Sequence, residues 1–239
     1  MARSQRLLAA AGAVTVMIVA GCTVSTGSSS SPPPTGSSTQ PAGSAYSLPA
    51  GVQTLKVSNP VGTIRVTAAN GSSQIHVAQQ PTGKPTAYRQ AAGSTTTIGS
   101  HCPGGVHIGS CHMDYQIQMP PSVALNVAGE AGEVILQGGL TKAQVNTQAG
   151  KVSGTGLGRG SFTVATQAGE VDLAFASAPT LAKVTTEAGA IDVTVPSGGS
   201  YKVSASSNGS KDVKVPNNAN AANTIDLHAG FGSVSLNHG

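Results

Sequence analysis

The residues of this chain best suited to chemistry are two cysteines and three histidines in "HCPGGVHIGSCHMD", residues 101–114. In an oxidising compartment, Cys102 and Cys111 would form a disulfide that closes a Pro/Gly loop and contributes roughly 2–3 kcal/mol. The alternative is a zinc site, because thiolate and imidazole are preferred Zn²⁺ ligands. Its ligands would be His101, Cys102, His107, Cys111 and His112. The spacing matches no short-range Cys-x₂₋₄-Cys knuckle, which favours the disulfide, and no cofactor is predicted.

The N-terminus predicts the compartment. Arg3 and Arg6 precede the apolar run "LLAAAGAVTVMIVA", and a glycine and Cys22 follow it. The run is shorter than the about 20 residues that span a bilayer, but it suits the core of a signal peptide. The junction resembles the bacterial lipobox, in which small residues precede a Cys that is lipidated. We predict a lipoprotein signal over residues 1–21 and a palmitate-bearing anchor on Cys22, which places the chain on the extracytoplasmic face of the cell membrane. An ordinary secretory signal with a chance Cys is the alternative.

Composition divides the rest of the chain. Residues 22–47 are rich in Ser, Thr, Gly and Pro and have little apolar mass to offset the entropy of ordering, so they predict a disordered tether. The folded domain is predicted over residues 48–239. The full chain carries 13 basic and 9 acidic residues, and the signal takes two of the basic ones, which leaves 11 − 9 = +2. Without a basic patch with interleaved aromatic residues, nucleic acid is not a predicted partner.

A short motif repeats around a glycine in the folded part. The copies are "VAGEAGEVIL" (127–136), "VNTQAGKVSG" (145–154), "VATQAGEVDL" (164–173) and "VTTEAGAIDV" (184–193), with looser copies at 57–66, 203–215 and 225–236. Their glycines are Gly132, Gly150, Gly169 and Gly189. The unit of 18–20 residues is too short for a repeat that contains a helix, and apolar–polar alternation on both sides of the glycine indicates strand, corner, strand. The predicted fold is all-β: a single-stranded β-solenoid whose turns stack about 4.8 Å apart.

The repeat also predicts which side chains face inward and which face solvent. The inward columns are Val127, Val145, Val164 and Val184 on one strand, and Val134, Val152, Val171 and Ile191 on the next, followed by Leu136, Leu173 and Val193. The outward columns are Glu133, Lys151, Glu170 and Ala190, and Glu130, Gln148, Gln167 and Glu187. We interpret both outward columns as register control rather than as a catalytic row. Asp172 and Asp192 should be neighbours, either as a solvated pair or as a weak cation site.

An insert at about residues 80–114 interrupts the repeat, and inserts of this kind project from a solenoid or cover one of its ends. Binding residues concentrate on loops carried by rigid scaffolds. The candidate ligand contacts are therefore Tyr88, Arg89, His107 and Tyr115. A structural cap without a ligand is the alternative.

Three sequence features point to one family. Gly-x-Val/Ile-x-Val/Leu strands recur, Tyr115-Gln-Ile-Gln-Met-Pro120 precedes them, and "VPSGGSYKVSASSNG" follows at 195–209. With these features, residues 46–239 resemble a bacterial adhesin-like family, a domain of unknown function. The resemblance implies a β-solenoid in the cell envelope and no catalytic residues to carry over.

The predicted function is a non-enzymatic envelope lipoprotein that presents a β-solenoid for surface contact, adhesion or scaffolding. Its partners would be the membrane, through the lipid anchor, and an unidentified envelope or surface protein or glycan. One alternative is an envelope-stress sensor partner that binds by β-augmentation at an uncapped end such as Ser233–Leu236. A polysaccharide-acting β-helix enzyme is disfavoured, because nine scattered acidic residues do not supply the required cluster of carboxylates.

Overall fold

The structure is a computed structural model that describes residues 37–40, 43–104 and 109–239. The predicted signal, Cys22 and most of the predicted tether lie outside the described residues. Those residues form eighteen strands and no helix, joined by hydrogen bonds into one continuous sheet. No helix long and apolar enough to cross a membrane occurs among them. The all-β prediction is confirmed.

The strands take their bounds from short alternating segments that end at glycine-rich or proline-containing turns. In the first half of the chain they are β1 (Ser37–Gln40), β2 (Ala45–Ser47), β3 (Thr54–Val61), β4 (Ile64–Ala68), β5 (His76–Thr82), β6 (Thr86–Ala92), β7 (Thr95–His101), β8 (His112–Met119) and β9 (Ala124–Ala131). In the second half they are β10 (Val134–Gln137), β11 (Lys142–Ala149), β12 (Val152–Leu157), β13 (Ser161–Ala168), β14 (Val171–Phe175), β15 (Leu181–Val195), β16 (Tyr201–Ser207), β17 (Ser210–Val213) and β18 (Asn223–His238).

Two strand segments that meet at a glycine corner make one rung, and the rungs stack in parallel. Their order along the stack is β7/β8, β3/β4, β9/β10, β11/β12, β13/β14, the two halves of β15, the two halves of β18, and β16/β17. At a strand spacing of about 4.8 Å, the seven steps between these eight rungs span about 34 Å. This is the predicted β-solenoid.

The core consists of the predicted inward columns. Val127, Val145, Val164 and Val184 lie in register on successive rungs, and Val134, Val152, Val171 and Ile191 do the same on the second strand of each rung. All of them are buried, as are Leu136, Leu173 and Val193. Each rung is too thin to bury its side chains alone, so like residues stacked on like residues provide the core.

A ladder of glycines forms the corners. Gly132, Gly150, Gly169 and Gly189 have φ values of 141°, 131°, 148° and 147°, in the region that side chains disfavour. A Cβ on any of them would collide with the carbonyl oxygen of the glycine one rung earlier, beginning with Gly62. The corner therefore requires glycine for two reasons, the backbone conformation and the close approach of the neighbouring rung.

The order of rungs departs from the order of the chain at both ends. Rung β7/β8 lies outside rung β3/β4, although it follows that rung in sequence. At the other end, β18 inserts between β15 and the pair β16/β17. The expected free end at Ser233–Leu236 is therefore wrong, because this segment of β18 has a neighbour on each side. Repeat alignment shows which segments form rungs but carries no information about which rung is outermost.

Antiparallel strands cover the first rung. β5 pairs with β8 and β6 pairs with β7, and β2 and β1 extend these pairs outward. We call this covered side, comprising β1, β2 and β5–β8, the capped end. The side of β16/β17, beyond which the described residues place no further strand, is the open end. The insert at about 80–114 thus contributes a rung and its cover.

The folded domain begins before residue 48, where the sequence placed its start. Strands β1 and β2 lie within the predicted tether, at residues 37–40 and 45–47. Edge pairing needs only backbone N–H and C=O groups, so a mainly polar segment can join a sheet that is already formed, and in β2 the ring of Tyr46 also packs against the core. The tether was predicted from its low apolar content, and that criterion does not detect backbone pairing at a sheet edge.

Candidate binding surface

The disulfide-closed loop lies at the capped end, between β7 and β8. The sulfur atoms of Cys102 and Cys111 are 2.06 Å apart and the two Cα atoms are 6.0 Å apart. Because each sulfur is bonded to the other, neither is available as the thiolate ligand that the zinc alternative requires. His107 lies outside the described residues. Among the residues that the structure does describe, no group of three or more His, Cys, Asp or Glu side chains is placed to hold a metal ion.

Three of the four candidate ligand contacts serve the fold. Tyr115 is completely buried in the core, so it cannot touch a ligand, and burial raises the pKa of its hydroxyl. Tyr88 packs over Gly99, where any Cβ would collide with its ring. Arg89 lies 5.5 Å from the ring centroid of Tyr46, a cation–π contact. The alternation in "Tyr-Gln-Ile-Gln-Met" already marked Tyr115 as inward-facing. Tyr88 meets Gly99 across the β6–β7 hairpin and Arg89 meets Tyr46 on a distant segment, and the repeat predicts neither contact.

A small polar network joins the capped end to the adjacent rung. The Asn59 amide donates to the carbonyl oxygen of Met113 at 2.7 Å, and the Ser100 hydroxyl donates to Asn59 Oδ1 at 2.7 Å. Asp114 Oδ1 accepts the backbone N–H of Thr63 at 2.6 Å. Asn59 is buried and each of its interactions crosses between rungs. The network fixes how the first rung sits on the second, which is a structural task.

Two serine–histidine pairs have the contact that a nucleophile makes with its base. Ser47 Oγ lies 2.8 Å from His76 Nδ1, and Ser206 Oγ lies 2.8 Å from His228 Nδ1. Both pairs are exposed cross-strand neighbours in the sheet register. Within the described residues, only His112 pairs with a carboxylate, that of Asp114 at 3.8 Å. Neither serine–histidine pair therefore has the orienting acid of a catalytic triad.

The outward column Glu130, Gln148, Gln167 and Glu187 borders an open groove that follows the stack. Three overlapping clefts of about 240, 400 and 610 Å³ make up this groove. We call it the corner groove. Its residues are 58–60, 128–130, 146–148, 165–168, 185–188, 228, 230 and 231. It crosses the strands at right angles and touches six successive rungs, from β3/β4 to β18.

Phe231 closes the corner groove toward the open end. Its side chain is 74% exposed, and no other large hydrophobic side chain among the described residues is exposed. In register, Phe231 follows Ala188, and the earlier rungs carry Ala131, Ala149 and Ala168 at this position. The signal was present in the sequence, because "HAGFGSV" aligned on Gly232 puts a phenylalanine where the other copies have alanine. The copies were aligned to find inward-facing core positions, so the outward-facing Phe231 was not singled out.

Of the two ion pairs that the outward column Glu133, Lys151 and Glu170 could form, the described residues show one, and none joins Glu133 to Lys151. Lys151 Nζ lies 3.4 Å from Glu170 Oε2, an exposed ion pair between successive rungs, which contributes a few tenths of a kcal/mol. Asp172 and Asp192 are register neighbours. The amide of Asn237 donates to Asp192 Oδ1 at 3.5 Å. These contacts are weak and solvent-exposed.

The domain matches a family profile in sequence and aligns with solved structures. The sequence profile described as Toastrack DUF4097 matches residues 42–236. Among solved structures, a "putative cell adhesion protein" from Clostridium sporogenes ATCC 15579 is 12% identical, with a TM-score of 0.49 over 82% of this chain and 99% of that one. A "putative adhesin" from Bacteroides fragilis NCTC 9343 is 13% identical, with a TM-score of 0.38 over 86% of this chain and 98% of that one. No curated protein matches the chain in sequence.

Proposed function

This chain belongs to the Toastrack DUF4097 family, and on that premise we propose that it is a non-enzymatic envelope lipoprotein that presents its β-solenoid for surface contact. The observation that carries the proposal is the corner groove, an open surface that extends over six rungs of a regular stack. A stack with a continuous core holds such a surface in fixed geometry, which suits contact with an extended partner.

The end of the stack at which the described domain begins supports a display role. The first described strands, β1 and β2, lie at the capped end, and Phe231 lies toward the open end. A lipid on Cys22 would therefore hold the domain by its capped end through the segment before β1.

The anchor and the contact role are tested by displaying the full chain on bacterial cells, beside a Cys22→Ser chain. We expect cells with the full chain to attach to one another or to a coated surface more than cells without it. The Cys22→Ser chain should appear in the medium and confer no attachment. Equal attachment with and without the full chain at matched surface amounts would rule out the contact role, and membrane retention of the Cys22→Ser chain would rule out the lipid anchor.

A second candidate is β-augmentation at the open end, favoured by the outer edge of β16. Asn217 Oδ1 accepts from Val203 N at 2.9 Å, and Asn218 N donates to Tyr201 O at 2.8 Å, so both asparagines cover the start of this edge. Backbone groups alternate sides along a strand, and Ala205 therefore also points its N–H and C=O outward, past the covered part. This edge replaces Ser233–Leu236 as the place where a strand could add.

Replacing Ala205 by proline tests this candidate, because it deletes one outward N–H and keeps the bonds to β18. If a second copy adds at this edge, the full chain should form dimers whose fraction rises with concentration in native mass spectra, and Ala205→Pro should abolish them. Lys202→Ala is the matched control, since it alters an exposed side chain on the same strand and no backbone group. Dimers that persist in Ala205→Pro would exclude the edge.

A further inference from the structure

We propose that the corner groove binds a linear, uncharged polysaccharide, which lies along the stack and ends against Phe231. The inference deepens the proposed function and rests on it, since it names the class of surface molecule that the solenoid contacts. It also gives a second role to the outward column from Glu130 to Glu187, which the sequence analysis interpreted as register control. The two roles are compatible, because these side chains border the groove and remain open to solvent.

The geometry of the groove suits a polymer with a short, regular repeat. Gln148 and Gln167 lie on successive rungs, so their amide groups recur at the rung spacing of about 4.8 Å. The rise per sugar of an extended β-linked glycan is close to this spacing. An extended chain laid across the strands would therefore meet an amide or a carboxylate of this column at each of four successive steps, whereas a folded partner would meet only part of the groove.

The polar groups of the groove suit hydroxyl groups. A glutamine amide both donates and accepts, and a carboxylate accepts from two neighbouring hydroxyls at once. The groove offers Gln148, Gln167 and Asn146 as amides, with Glu130 and Glu187 as carboxylates. A sugar hydroxyl also donates and accepts, so the two sets of groups match without a charged ligand.

The charge of the groove argues against a polyanion. No lysine or arginine is among the residues that line its three clefts, and two of the lining residues are carboxylates. A phosphate- or carboxylate-bearing polymer would place like charges close to Glu130 and Glu187 with no lysine or arginine in the lining to offset them, which is unfavourable. This selects neutral glycans over nucleic acids, phosphate polymers and acidic polysaccharides.

Phe231 supplies the apolar contact that sugar rings use. One face of a pyranose ring presents C–H groups, and an aromatic ring offers a flat apolar surface with negative charge density on its face. The cleft beside Phe231 also includes Ala168 and Ala188, so the ring lies at the most apolar part of the groove. A 74% exposed phenylalanine in a column of alanines costs solubility and adds nothing to the core, which is expected of a contact residue.

The test titrates the full chain, purified in detergent, with hexasaccharides of β-linked glucose or β-linked N-acetylglucosamine, and with an oligogalacturonate as the acidic probe. Calorimetry should detect binding of a neutral hexasaccharide and none of the acidic one. Phe231→Ala should weaken binding about tenfold, the effect of losing roughly 1.4 kcal/mol. This substitution restores the alanine of the earlier rungs, so it should leave the fold intact. The double variant Gln148→Ala/Gln167→Ala should weaken binding comparably, and Asp172→Ala, on the other strand of its rung, should not.

Three results would overturn the inference: no binding of either neutral probe, preference for the acidic probe, or binding that Phe231→Ala and the glutamine variant leave unchanged. Attachment of cells that display Phe231→Ala separates the two proposals. Wild-type attachment by these cells would contradict the glycan assignment and leave the contact function standing. Absence of attachment by wild-type cells would contradict the contact function itself.

Discussion

The central rungs, residues 124–195, and the capped end hold their backbones in place by different means. In the central rungs, like residues stack on like residues, and a glycine ladder lets successive corners approach. The capped end has antiparallel pairs, a disulfide and the hydrogen bonds of Asn59. An interior rung has equivalent neighbours on both sides, whereas the first rung must be closed by something unlike itself. Repetition therefore stabilises the interior of the stack, and specific contacts stabilise its end.

The largest expected effect comes from breaking the repetition at Gly169. Gly169→Ala should lower the free energy of unfolding by roughly 3–5 kcal/mol, because a positive φ costs about 1–2 kcal/mol for a residue with a Cβ and overpacking adds about 1–3 kcal/mol. The Cβ would also collide with the backbone of Gly150, which cannot move without disturbing the next rung. Urea denaturation of the full chain measures the change.

Gly139→Ala is the matched control for the ladder. Gly139 follows strand β10 and has open space where a Cβ would stand, so we expect a change within about 0.5 kcal/mol. If both substitutions cost the same, the corners tolerate side chains and the ladder is not what limits the central rungs.

At the capped end, the largest effect should come from the disulfide. The double variant Cys102→Ser/Cys111→Ser should lose roughly 2–3 kcal/mol of local stability by the chain-entropy argument. Hydrogen exchange should show faster exchange in β7 and β8, next to the loop, and unchanged protection in β11 and β13. Uniform loss of protection over both regions would mean that the two unfold as one unit. The capped end and the central rungs would then differ in their contacts but not in local stability.

The contrast also explains how far the sequence could predict this molecule. In the central rungs each environment recurs, so four aligned copies were enough to place Val145, Gly169 and their equivalents. At the capped end the partners are unique and distant, such as Asn59 with Met113 or Arg89 with Tyr46, and no periodicity predicts them. The corner groove arises from side chains whose columns were identified, but its concavity depends on how rungs stack, which a linear pattern does not contain.

Asn59 provides a smaller and more local test. Asn59→Ala should destabilise the chain by about 2 kcal/mol, because it removes the hydrogen bonds that Asn59 makes to the buried carbonyl oxygen of Met113 and with the Ser100 hydroxyl. Thermal unfolding of the full chain measures it. Asn126→Ala, an outward-facing position on the next rung, is the control and should change stability little. A loss in Asn126→Ala as large as that in Asn59→Ala would mean that the buried hydrogen bonds are not the cause.

The smallest expected change in stability is a gain, and it comes from the register column that contains Asn59. Asn59, Thr147, Thr166 and Thr186 occupy the same register column on their rungs. The buried hydroxyls of Thr147 and Thr186 have no hydrogen-bond partner, whereas that of Thr166 donates to Ala168 O at 3.4 Å. Thr186→Val keeps the shape and removes an unsatisfied polar group, so it should stabilise the chain by about 1 kcal/mol.

Thr166→Val is the matched control, since it replaces a weakly bonded hydroxyl by the same shape and should change stability by less than Thr186→Val. Urea midpoints of the two variants make the comparison. If Thr186→Val raises stability and Asn59→Ala lowers it, a polar side chain in this column stabilises the chain next to the capped end and destabilises it in the interior rungs. Destabilisation by Thr186→Val would instead mean that its hydroxyl is hydrogen-bonded in solution, and polar contacts would then stabilise the interior rungs as well as the end.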